Sequence, residues 1–242
     1  MFPVNLGICA IVKDERISYA SEWVQWYREL GVKRFFIYNN GVEPFVTGPD
    51  IVETAWPGKA VQLAAYDHCL AYNQGMDFIA FIDLDEFIVG PLISKLEHVE
   101  NGLALNWRMY GSSGLNYNHQ GRQLGVFRKY APPTACETVK TIVRVNNAIQ
   151  ALSPHHFLFR NGKGVQSLNG AIVSSPINPI SSWPEVWINH YILRSKADWF
   201  YKAYRGRVSV KDTCYDVSTI EGIDKVCTET DEVVYWRGIM GE

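Results

Sequence analysis

The sequence predicts an α/β fold with a mainly parallel sheet, and three features predict it. Strand-like and helix-like segments alternate through residues 1–90; the strand-like runs are too continuously apolar for a sheet with one wet face; and one of them ends in three acids, where open α/β sheets bind ligands. A chain of 242 residues supports one sizeable core rather than two. Its 47% hydrophobic and 20% charged residues exclude disorder for most of its length. A net charge of -2 excludes a global positive field for gripping nucleic acid, though not a local basic patch. Five cysteines without a C-x-x-C pair argue against a zinc site or a disulfide framework. Aromatic content is 13%, an excess that suits core packing and equally suits stacking on sugars or bases.

The first element, Leu6 to Val12, is an apolar run closed by Lys13-Asp14-Glu15. It is too short for a signal peptide or a membrane span and reads as a buried strand. No later window reaches the roughly 18 apolar residues of a spanning helix. The expectation is a cytoplasmic protein, with peripheral membrane contact left open. From Ile17 to Leu30, apolar residues at 17, 20, 23, 24, 27 and 30 follow helical spacing, and Gly31 supplies the stop. Arg34 to Tyr38 is the second strand, ended by Asn39-Asn40-Gly41. Val61 to Asn73 is a second helix, and Phe78 to Ile82 a third buried strand.

After Gly90 the texture becomes irregular, with strand-like runs at Leu103 to Trp107, Leu124 to Arg128 and Thr141 to Val145. Leu103 to Cys136 contains no Asp or Glu but holds Arg108, Arg122, Arg128 and Lys129. That excess reads either as a solvated loop region or as a surface facing an anionic group such as a diphosphate. Lys196 to Tyr204 is the last expected helix, and the acidic segment 208–242 is read as an extension.

The most informative residues are Asp83, Asp85 and Glu86, three acids within four positions at the end of the third strand. Unpaired, they would repel one another, so a cation is the natural compensation. In an extended chain Asp83 and Asp85 project to one side and can approach one ion, and oxygen ligation suits Mg²⁺ or Mn²⁺. Capping or pairing with nearby bases is the plainer alternative. A D-x-D after a strand also opens haloacid-dehalogenase-like phosphatases, with the first Asp as nucleophile. Against that, Phe87 stands where Thr or Val is expected, and two βα units precede the motif.

Several segments in sequence order carry a resemblance: Cys9-Ala10-Ile11-Val12-Lys13-Asp14-Glu15, Glu22-Trp23-Val24-Gln25-Trp26-Tyr27, Phe36-Ile37-Tyr38-Asn39-Asn40 and Phe81-Ile82-Asp83-Leu84-Asp85-Glu86-Phe87. Trp107-Arg108-Met109-Tyr110-Gly111-Ser112-Ser113-Gly114, His190-Tyr191, Ser195, Lys202, Arg205 and Gly206 continue it. Together they resemble the GT-A-fold glycosyltransferases of family 92 and the bacterial family-2-like group. The resemblance implies one GT-A domain over residues 1–207, with a nucleotide-sugar half at 1–90 and an acceptor half at 91–207. It implies metal-dependent, inverting transfer of a hexose from a UDP-sugar, with galactose the leading sugar, to a saccharide or glycolipid acceptor. In bacteria, proteins of this resemblance often serve lipopolysaccharide or capsule assembly, which is the setting it implies. A non-catalytic sugar-binding module is the remaining competitor.

By the same resemblance Asp83, Asp85 and His190 hold Mn²⁺ or Mg²⁺. Val12, Lys13, Asp14, Glu15, Asn39, Gln62, Asp67, Asp83, Leu84, Lys140, Lys202 and Arg205 are expected around the donor. Trp107, Tyr110, Gly111, Ser112, Ser113 and Gly114 are expected on the acceptor side. Inversion needs a base opposite the leaving group. The acid-free stretch leaves Glu137 as the nearest carboxylate and Asp212 as the next, with His155-His156 as another place for it.

Overall fold

In the computed structural model, which describes residues 4–206 and 217–230, the first strand, β1 (Leu6–Val12), is buried at every position. Its side chains alternate between two cores: Leu6, Ile8, Ala10 and Val12 face one, Cys9 and Ile11 the other. Helix α1 (Ile17–Glu29) covers the first face with Trp23, Val24, Trp26 and Tyr27. Strands β2 (Arg34–Asn39) and β3 (Ile51–Ala55) then extend the sheet in parallel beyond β1. Helix α2 (Gln62–Tyr72) covers the second face with Ala65, Tyr66, Cys69 and Leu70. Strand β4 (Phe78–Phe81) joins β1 in parallel on its other side. Continuous apolar runs are the cost of burial on both faces, as the sequence implied.

Beyond β4 the chain forms β5 (Glu86–Val89), the short helix α3 (Leu92–Leu96), β6 (Gly102–Met109), β7 (Lys129–Tyr130) and β8 (Val139–Arg144). A hairpin of β9 (Ala148–Ser153) and β10 (His156–Phe159) follows, then β11 (Val165–Gln166), β12 (Ile172–Val173) and β13 (Trp187–His190). Helix α4 (Lys196–Arg205) opens with a reciprocal cap between Ser195 and Asp198. Helix α5 (Val217–Val226) and β14 (Glu229–Thr230) are the described parts of the acidic extension, and β14 pairs with β7.

The expected α/β architecture is present, but the sheet is mixed rather than mainly parallel. Its order is β12-β11-β6-β8-β4-β1-β2-β3, with β13 on β6 and β5 on β13. β8 runs antiparallel to both neighbours, β4 and β6, and β5 runs antiparallel to β13. The first part of the chain places α1 and α2 between parallel strands; from β4 to β13 the connections are loops apart from the short α3 between β5 and β6, and loops impose no common direction. The expected strand at Leu124 to Arg128 is a turn. Gly125 has a φ of 74°, and the Gln123 and Leu124 amides donate to the Glu22 carboxylate instead of to a strand. Among the described residues, no helix is long and apolar enough to cross a membrane.

Candidate functional site

A cavity of about 350 Å³ opens beyond the carboxyl ends of β1, β4, β6 and β13. Lys13 and Glu15 come from the end of β1, Asp83, Leu84 and Asp85 from the turn after β4, Trp107 from β6 and His190 from β13. Gln62 at the start of α2, Lys202 and Arg205 on α4, and Pro154 and His155 at the tip of the β9–β10 hairpin complete the wall.

The acidic turn is held from beneath by α1. The Trp23 indole donates to the carbonyls of Asp83 and Glu86, at 3.1 and 3.2 Å, and the Tyr27 hydroxyl donates to Glu86 at 3.0 Å. Glu86 is completely buried, and its Oε2 accepts the Asp83 amide at 2.8 Å. Its carboxyl is therefore part of the turn's framework. Pairing between β5 and β13 sets Glu86 opposite His190, and this brings the histidine beside Asp85 across a hundred residues of chain. His190 Nε2 lies 3.7 Å from Asp85 Oδ1.

Each acid in the cavity already has a cation. Asp85 Oδ2 accepts from Lys202 Nζ at 2.6 Å, and Asp83 Oδ2 from Lys140 Nζ at 2.8 Å. Glu15 accepts from Arg194 at 2.9 Å and also from Arg205, which donates in addition to the Lys13 carbonyl. Burial pushes the Asp85 carboxyl up, but Lys202, with His190 and Arg194 behind it, outweighs this and holds it well below the carboxylate range. Lys140 is fully buried; burial opposes its charge, and Asp83 and Glu86 outweigh burial and keep it protonated. His190 is pushed down to about 4 by burial, with Asp85 pulling the other way, so its imidazole is neutral at pH 7.

Asp85 and His190 are an oxygen and a nitrogen donor side by side on the cavity wall, a set that suits Mn²⁺ or Mg²⁺ when diphosphate oxygens and water complete the shell. Asp83 does not join them, because its carboxylate is turned to Lys140. Among the described residues, no three of His, Cys, Asp and Glu converge as a preformed metal cage. The fit is to a two-ligand half-site.

Other expected residues take different places. Asp14, with a φ of 46°, accepts the amides of Val42 and Glu43 and locks the β1 turn to the β2 turn. Only glycine fits at 41, since a Cβ there would lie 2.3 Å from the Asp14 carboxylate. Asn39 is committed to Glu43 and Glu53, and Asp67 accepts the Ala151 amide, fixing β9 to α2. Val12 is buried in the core beneath the site. Glu137 is exposed and does not line the cavity, and Asp212 lies outside the described residues.

The expected acceptor segment divides. Trp107 lines the cavity, with its ring packed against His190 at 4.2 Å and His155 at 5.2 Å between centroids. Tyr110 is fully buried against Tyr191, and the turn at Gly111 to Gly114 faces α5 instead of the cavity. Asp224 accepts the Ser112 amide and hydroxyl, at 2.6 and 2.5 Å. A Cβ at Gly111 would lie 2.5 Å from that carboxylate, so the glycine serves the docking of α5. Ser113 Oγ accepts the Arg128 and Lys129 amides. Of the basic stretch, Arg108 is buried beneath the faces of Tyr130 and Trp183, at 3.5 and 4.6 Å from their centroids, and takes no part in the cavity.

Arg194 is the residue that sequence reading missed. It is buried, with a φ of 56°, and joins Glu15 to Gln123 while lying over the Tyr19 ring. A signal was available: a lone arginine directly before the S-x-x-D capping pattern at Ser195 to Asp198 sits where a helix docks.

The fold and site together define an α/β domain with a charged cavity at the carboxyl edge of its sheet. No protein-family model matches the chain. It is 27% identical over 183 residues to a glycosyltransferase family 92 protein of Ricinus communis, covering 66% of this chain and 32% of that protein. A family 92 protein of Oryza sativa subsp. japonica is 27% identical over 65% of the chain and 30% of its own length. One of Arabidopsis thaliana is 25% identical over 68% of the chain and 33% of its own. The curated relatives of this chain are thus family 92 glycosyltransferases, as the sequence resemblance implied, and the chain spans about a third of the length of those it matches.

Proposed function

We propose that this domain is a metal-dependent, inverting glycosyltransferase that takes a hexosyl group from a UDP-sugar, with UDP-galactose the leading donor, and passes it to a saccharide or glycolipid acceptor. The observation that supports this most is the convergence of Asp85, His190, Lys202 and Arg205 on one cavity wall. Two ligands and two cations are what a diphosphate needs around it. Asp85 and His190 would hold Mn²⁺ or Mg²⁺, which neutralises charge on the departing diphosphate. Lys202 and Arg205, one turn apart on α4, bind the phosphate oxygens once their carboxylates are engaged elsewhere. Gln62 and Lys13 also line the cavity and would contact the donor, and Trp107 offers its ring face to the apolar side of a sugar.

Thermal unfolding tests the reading. UDP with Mn²⁺ should raise the melting temperature, and excess chelator should remove most of the shift. Equal protection with and without chelator would sink the metal half-site. A panel of UDP-hexoses, scored for UDP release with Mn²⁺ and no added acceptor, should single out the donor. Phosphate released from small esters, with none of the sugars cleaved, would favour the phosphatase-like use of Asp83 instead.

A further inference from the structure

The cavity contains three carboxylates that could take a proton, and all three are committed: Glu15 to Arg194 and Arg205, Asp83 to Lys140, Asp85 to Lys202. His155 differs. It sits at the tip of the β9–β10 hairpin, where the Thr141 hydroxyl donates to its carbonyl and its amide donates to Ser153 Oγ at 3.1 Å. Its ring Nδ1 lies 2.9 Å from the Val139 carbonyl. A carbonyl only accepts, so Nδ1 carries the hydrogen and Nε2 carries the lone pair. The ring packs edge-on against Trp107, which has His190 against it as well, and lines the same cavity as the Asp85–His190 pair. Nε2 accepts no hydrogen bond from any described residue.

Resting on the glycosyltransferase reading above, we propose that His155 is the general base of the transfer. The acceptor hydroxyl oxygen forms its bond to the sugar's anomeric carbon as the bond from that carbon to the diphosphate oxygen breaks. The bonding pair leaves with UDP, and the hydroxyl proton passes to His155 Nε2, giving an imidazolium that later releases the proton to water. The same step with water as acceptor gives hydrolysis.

The surroundings suit a neutral base. Burial, with Lys140 of β8 behind it, pushes the ring down to about 4, while the Val139 carbonyl and Asp83 pull upward and neighbouring His156 pushes down. The imidazole is consequently unprotonated through the physiological range. It has the strength of a carboxylate base without the negative charge that would repel a diphosphate.

The test is His155→Asn, whose side-chain amide can keep the hydrogen bond to Val139 while removing the base, with His156→Asn as control. UDP release from the UDP-hexose that wild type cleaves best, with Mn²⁺, is followed at pH 7. His155→Asn should lose at least 100-fold in kcat, with the donor KM within threefold and the melting temperature unchanged. His156→Asn should stay within threefold. A His155→Asn enzyme within threefold of wild type in kcat overturns the assignment. So does a loss appearing only in KM. If wild type cleaves no UDP-hexose and UDP gives it no protection, the underlying reading falls, and the assignment falls with it.

Discussion

Glu15→Gln is the sharpest probe of the charge network, because the variant changes one charge and almost no volume. Glu15 is 13% exposed, and its partners Arg194 and Arg205 are 8 and 10% exposed at the side chain. Arg194 has Gln123 as its other hydrogen-bond partner, which is neutral. Removing one partner of a buried ion pair leaves the other charge uncompensated and costs about 3–5 kcal/mol; glutamine retains one acceptor, which places the expectation at about 3 kcal/mol. For a domain of this size that is a fall of about 6–12 °C in melting temperature. Asp50→Asn is the contrast: its partner Arg28 is 44% exposed, and the loss should stay at or below about 1 kcal/mol. Urea unfolding followed by circular dichroism reads both.

The pH dependence supplies a second check. Burial pushes the Glu15 carboxyl up, but Arg194 and Arg205 outweigh it and hold it below its usual value. A depressed folded value means that the stabilisation is present above the unfolded value of about 4.3 and is lost as pH falls through the folded one. The gap between wild type and Glu15→Gln should hold steady above about pH 5 and narrow below it. Removing Glu15 and Arg194 together, as in Glu15→Leu with Arg194→Met, leaves only Arg205 uncompensated and should recover part of the loss. A Glu15→Gln variant within 1 kcal/mol of wild type at pH 7, or a gap unchanged at pH 3, would refute this reasoning.

Three further outcomes are expected. Asp85→Asn should abolish the Mn²⁺-dependent part of UDP protection while the far-ultraviolet spectrum is retained; undiminished protection would remove Asp85 from the ligand set. Trp107→Ala should lower sugar-donor turnover about tenfold, corresponding to about 1.4 kcal/mol, and Trp107→Phe much less, since the indole N–H is buried without a hydrogen-bond partner and only the ring face is in use. Asp224→Ala removes two charge-assisted hydrogen bonds to Ser112; hydrogen exchange in α5 should accelerate about 30-fold, for a net loss of about 2 kcal/mol, with β1 and β4 unaffected.

What could be read in advance was governed by distance along the chain. β1, β2 and β4 declare themselves as continuous apolar runs because helices close in sequence cover them, and those helices, α1 and α2, declare themselves through helical spacing. The acids at 83, 85 and 86 were visible for the same reason: they end a strand that is itself visible. The Lys140–Asp83 pair, the Glu86–His190 register and the Arg194–Glu15 bridge join residues 57, 104 and 179 positions apart, and no local pattern encodes such pairings. The Gly111–Gly114 turn shows the opposite error. Its residue types suit a ligand, yet the same small side chains and free amides are what the docking of α5 requires. The β8 strand was legible as a strand, but its direction depends on loops that carry no periodic signal.

The lysines on the acids have a kinetic consequence. Every acid in the cavity is paired before a ligand arrives, and among the described lining residues Lys13 carries a cation with no ion pair, so the entrance presents a small positive excess to an anion. Association should therefore be only weakly steered, with a modest fall in rate between low and physiological salt. Entry is an exchange of partners, in which a phosphate takes Lys202 from Asp85 and frees the carboxylate in the same movement. Affinity would then be set by how readily α4 gives up one contact for another, which makes dissociation the rate that evolution or an engineer can tune.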